Sequence, residues 1–104
     1  MTIFVQNGAT TAISLNGDTS ASGVLNPAGD GAQAYAVLNA DDEVAFIKFG
    51  SGSAPTATAA DFPLPPGISL GIDPGIGITH AAVIGQSEAA GIIYITPIHA
   101  DSRR

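Results

Sequence analysis

The chain has 104 residues, 45% of them hydrophobic, and sets nine acids against three basic residues for a net charge of −6. Without cysteine it can hold no disulfide, thiolate metal site or thiol nucleophile. With only Lys48, Arg103 and Arg104 as fixed cations, it lacks the basic footprint of a nucleic-acid binder.

The length fits a single domain over residues 1–104 with a folded surface of about 5,400 Å². Twelve Ile, five Val and eight Thr stand against five Leu and one Met, and β-branched side chains suit a pleated surface better than a helix. The expected class is therefore all-β. Thr2–Gln6 reads as a first strand, and Asn7-Gly8 as a two-residue hairpin turn into a second, Ala9–Leu15. That turn would set Phe4, not Ile3 and Val5, on the face of Ile13 and Leu15, so either the hairpin is apolar on both faces or the turn is looser than two residues. Asn16-Gly17 repeats the signal before a weaker strand, Thr19–Leu25, and residues 26–31 form a loop.

Gln33–Leu38 and Glu43–Phe49 flank the polar stretch 39–42 and read as a central hairpin, each strand apolar on alternate sides and so covered on both faces. Residues 50–67 form a long Pro/Ala/Thr-rich loop. Its prolines hold Phe62, Leu64, Pro65 and Pro66 extended and ready to dock on a surface. Ile68–Ile72 alternates cleanly, Asp73-Pro74-Gly75 turns, and Ile78–Ile84 and Gly91–Thr96 are the last strands, leaving a short C-terminal tail at 98–104. About eight short strands in one domain predict a β-sandwich or jelly roll.

Little in the chain spells chemistry. Asp41-Asp42-Glu43 are consecutive acids in a turn, without the spacing of a calcium loop. His80, and His99 with Asp101, do not make a zinc set. Gly75-Ile76-Gly77 lacks the third glycine of a dinucleotide loop, and no Gly-x-Ser-x-Gly elbow occurs. The expectation is no enzyme, no cofactor and no metal. The first residues lack a basic stretch, and no run approaches ~20 apolar residues, so a protein made in the cytoplasm with no membrane partner is expected. Charged residues are 12% of the chain, and several strands are two-sided, which predicts apolar area shared with a partner and a homo-oligomer.

The runs Ala45-Phe46-Ile47-Lys48-Phe49-Gly50, Thr58-Ala59, Asp61-Phe62-Pro63-Leu64-Pro65-Pro66-Gly67, Thr79-His80-Ala81-Ala82-Val83-Ile84 and Tyr94-Ile95-Thr96-Pro97 resemble small virion proteins of tailed bacteriophages, over roughly residues 43–97. That group has a glycine-rich ending after the Thr-Pro step, where this chain has Ile98-His99-Ala100. The resemblance implies a non-enzymatic structural protein on the capsid exterior, a decoration or cement protein bound between major capsid subunits. It also admits, as an alternative, a head–tail connector or a tail or fibre component. A glycan-binding β-sandwich is the competing module. A capsid clamp would close as a homotrimer at a local three-fold, with Phe62, Leu64, Pro65, Pro66 and Tyr94 at its protein interfaces.

Overall fold

A computed structural model describes residues 2–6, 8–25, 34–75 and 77–102. The expected loop at 26–31 lies outside the described residues. Nine strands follow in order: β1 (Thr2–Gln6), β2 (Thr11–Ser14), β3 (Ala21–Val24), β4 (Ala34–Asn39), β5 (Ala45–Gly50), β6 (Phe62–Leu64), β7 (Ser69–Ile72), β8 (His80–Ile84) and β9 (Ile92–Ser102). They form two antiparallel sheets, one ordered β1-β9-β4-β7 with β2 also on β9, the other β3-β8-β5-β6. From β2 onward the chain changes sheet at every connection except β5 to β6. With β1 and β2 sharing one position, this is the eight-position double sheet of a jelly roll, as composition and strand count predict.

Alternation decides what is buried. Tyr35 and Val37 of β4, Ile93 and Ile95 of β9, Ala45 and Ile47 of β5, and Ala81 and Val83 of β8 interlock between the sheets. Tyr35 stacks on Phe49 with ring centroids 6.1 Å apart, and burial pushes its phenol pKa up. On one flank the sheets close directly: a Cβ on Gly23 would lie 3.2 Å from Ile13 Cγ1, so glycine lets β3 approach β2.

Three expected connections differ from those observed. β1 and β2 do not form a hairpin; both run antiparallel to β9, β1 on residues 98–102 and β2 on 92–95, so the chain continues straight on. Between the Gln6↔Ile98 and Thr11↔Ile95 pairs the β1/β2 side has two residues more than β9, and a 2.7 Å bond between the Thr10 and Thr96 hydroxyls pins the excess. The register conflict of the expected hairpin is thereby removed. The turn after β2 is real but shifted by one residue: Asn16 bridges Thr19 around Gly17-Asp18, with Gly17 at φ +57°.

β4 and β5 are not a hairpin either. They belong to opposite sheets, and residues 40–44 turn the corner between them. The reason is Asn39, which is fully buried. Its Nδ2 donates to the carbonyls of Glu43 and Leu64, both at 2.9 Å, its Oδ1 accepts the Asp41 amide, and its own carbonyl accepts Gly67 N–H. The side chain thus binds the corner to β6, and the backbone carbonyl binds it to the 65–68 connection. A free two-residue turn could not supply those acceptors.

The third difference is at the end of the chain. Residues 98–102 are not a tail; they complete the 11-residue β9 and pair with β1. A proline inside a strand removes a ladder donor. The Ala40 N–Ile92 O bond makes the even residues of β9 face β4 and the odd ones face the β1/β2 edge. Pro97 therefore lacks its N–H on the side of β9 that lies between the β1 and β2 registers.

Candidate interaction surface

The two outer faces are built differently. On the four-stranded sheet the register turns Phe46, Lys48, Ile84, Ala82, His80, Ser22 and Val24 away from the core. Ala82 is nonetheless fully buried, and so is Ala57, which lies in the long 51–61 connection. That segment leaves Gly50, where Pro55 sits 3.0 Å from a would-be Cβ, and reaches Ser20 at the start of β3, whose Oγ accepts Ala57 N–H at 2.9 Å. To join those points it crosses β8. A tight turn then returns it: the Thr58 amide donates to Asp61 Oδ2 at 2.7 Å, and Asp61 N–H to the Thr58 carbonyl. The segment is a strap over its own sheet, and it ends in β6, so the stretch expected to be one long loop contains a strand.

The outer face of the five-stranded sheet has no such cover among the described residues. Its central row is Ala12, Tyr94, Leu38 and Ser69, paired in turn across β2, β9, β4 and β7. Ser14 and Ile92 form the row on one side, and Thr96, Ala36 and Gly71 the row on the other. None of these residues carries a charge. Tyr94 stands 37% exposed at the centre, with Leu38 and Ile92 half-buried beside it.

The charges gather elsewhere. Asp18, Glu88, Asp41, Asp42 and Glu43 lie at one end of the sandwich, where Gly17 N–H meets the Ala89 carbonyl and Gly91 N–H donates to Asp41 Oδ1 at 3.1 Å. A Cβ on Gly91 would fall 2.7 Å from Asp41 Cα, so glycine is required for that contact. This end has a negative field with no cation beside it among the described residues.

The residues expected at interfaces do not converge. Tyr94 is on the bare face, whereas Phe62, 52% exposed, is on the edge strand β6 of the other sheet. Pro65 and exposed Pro66 belong to the connection between the sheets. Leu64 must be corrected: at 1% exposure it belongs to the protein's own core, paired with Ala45, and offers no docking surface. Leu38, Ile92 and Ala12 were missed as surface candidates, although their alternation with core residues was visible in the sequence.

His80 Nδ1 lies 2.7 Å from Thr79 Oγ1, which also accepts Gly52 N–H, so the imidazole helps anchor the root of the strap. Among the described residues no three potential metal-ligating side chains gather and no pocket opens. Gly75 and Gly77, both with positive φ, shape a turn in which Asp73 Oδ1 accepts Gly75 N–H. No described helix is long and apolar enough to cross a membrane. No protein family, curated protein or solved structure matches the chain.

Proposed function

We propose that this chain is a structural protein of a tailed-phage virion, a decoration protein that lays the outer face of its five-stranded sheet on the major capsid protein from outside. One observation carries the reading: a sheet face centred on Tyr94 without a formal charge, on a chain of net charge −6. Interface centres are depleted in charge and enriched in tyrosine. The resemblance over residues 43–97 supports the same reading, and its Tyr94-Ile95-Thr96-Pro97 run contributes the middle of that face. The jelly roll is an architecture that viral capsid domains use, which is support by analogy of fold.

A clamp repeated over a shell works through many weak, equivalent contacts, so a modest face is sufficient when copies are linked. Quantitative mass spectrometry of purified virions should find the chain in hundreds of copies, and Tyr94→Lys should leave the particles while still folding. Six or twelve copies would assign it to the neck or tail instead. Undiminished occupancy by Tyr94→Lys would overturn the docking face.

A further inference from the structure

The lateral edges of the sandwich are not equally protected. β6 is three residues long and contains Pro63. β7 is four residues long and lies between Pro66 and Pro74. β2 and β3 lean on each other through Ile13 and Gly23, and Thr11 Oγ1 donates to the Val24 carbonyl at 3.4 Å. Short strands, prolines and covering contacts are the means by which β proteins prevent pairing at an edge. β1 is not shortened and has no proline, and among the described residues no strand pairs on its outer side. It is the end strand of the five-stranded sheet, and its sequence, Thr2-Ile3-Phe4-Val5-Gln6, is uncharged, free of proline and rich in strand-forming residues.

The hydrogen-bond phase shows which of its backbone groups are available. The odd residues of β9 face β1, and they pair Ile3 with Asp101 and Val5 with His99. Ile3 and Val5 therefore direct their N–H and C=O groups at β9, and Thr2, Phe4 and Gln6 direct theirs away from it.

We infer that β1 is a homodimerisation edge, pairing antiparallel with β1 of a second copy about a two-fold axis at Phe4. In that register Phe4 meets Phe4, Ile3 meets Val5 and Thr2 meets Gln6. The outward groups of Thr2, Phe4 and Gln6 then form about six N–H···O bonds. An isologous contact needs a surface complementary to itself, and an uncharged strand with this alternation is one.

Charge selects a second copy as the occupant. Two chains of net charge −6 repel wherever their acids approach. However, Asp18, Asp41, Asp42, Glu43 and Glu88 surround the end where β9 begins, and β1 pairs with the end where β9 finishes. Eleven residues of strand are about 37 Å long, several times the ~8 Å Debye length. Pairing through β1 thus keeps those five acids of the two copies apart, and Asp101, opposite Ile3 on β9, lies one strand back from the seam. The closed form of such a contact is a two-fold dimer. The inference concerns self-association alone and stands apart from the virion reading.

Five residues of edge bury less than a stable interface does, so the association is weak and is read up to about 1 mM. Sedimentation equilibrium of the purified full chain should show monomer and dimer. Phe4→Pro removes an N–H that faces away from β9, a position where an edge strand tolerates proline. It should weaken the dimer at least tenfold and leave thermal unfolding of the monomer unchanged. In the wild type, amide exchange at Phe4 and Gln6 should slow as concentration rises, while exchange at Ile3 and Val5 changes little. A monomer throughout the range, an undiminished oligomer in Phe4→Pro, or concentration-independent exchange at Phe4 and Gln6 would each overturn the inference. The exchange measurement needs no variant and decides the matter even if Phe4→Pro does not fold.

Discussion

The outer faces of the two sheets carry similar side chains and have different fates. Over the four-stranded sheet, Ala82 is sealed by the chain's own strap; over the five-stranded sheet, Tyr94, Leu38 and Ile92 meet solvent. Strands apolar on both sides therefore do not by themselves demand a partner. A long connection can close one face from within, and only the face it leaves bare needs another explanation. Part of the apolar excess that points to assembly is thus internal; of the large apolar side chains left exposed, Tyr94 stands on the five-stranded sheet and Val24 and Phe62 on the other.

The most severe way to separate covered from bare positions is within β6. Leu64→Ala should cost about 3 kcal/mol, since it opens a cavity in the core. Phe62→Ala, two residues away and half in solvent, should cost well under half as much; urea unfolding of the pair measures the contrast. If both were equally costly, the strap and β6 would be packed otherwise than described. Asn39→Ala comes next, at about 2–3 kcal/mol, because the Glu43 and Leu64 carbonyls lose their donor together inside the fold.

Ser20→Ala should cost about 1 kcal/mol and act locally, since it releases the bond that holds Ala57. Amides of residues 51–61 should exchange faster, with those of β4 and β9 unchanged. A global effect would mean that the strap is part of the cooperative core. The smallest effect is at high pH. Burial raises the Tyr35 pKa above its unfolded value of about 10. The contribution of neutral Tyr35 is therefore complete below pH ~10 and is lost as pH rises through the folded value. Stability should fall on the alkaline side, and Tyr35→Phe should flatten that fall.

Much of this was legible in the sequence. Class, strand density and the positions of β4, β5, β7 and β8 follow from alternation and from Gly and Pro punctuation, because those are local properties. Pairing was not legible, because in a jelly roll nearly every ladder joins distant segments. Asn7-Gly8 favours reversal when a strand has only its neighbour to pair with, but the long β9 offers β1 and β2 a common partner. Asn39 sits among turn-forming residues and reads as one, yet its side chain serves acceptors as far along the chain as Leu64. Residues 98–102 lack a pattern strong enough to extend β9, and their strand state depends on β1, almost the whole chain away. On the candidate surface Tyr94 was visible as one of only two tyrosines, whereas its neighbours Ala12, Leu38 and Ser69 are brought together only by cross-strand register.

The missing N–H of Pro97 separates two unzipping events. Pro97 offers no amide hydrogen at the step where β9 passes from β2 to β1, so fraying of β1 should be felt less in β2 than along a continuous ladder. One rim of the sandwich can thus loosen while the ladder between β2 and β9 stays closed.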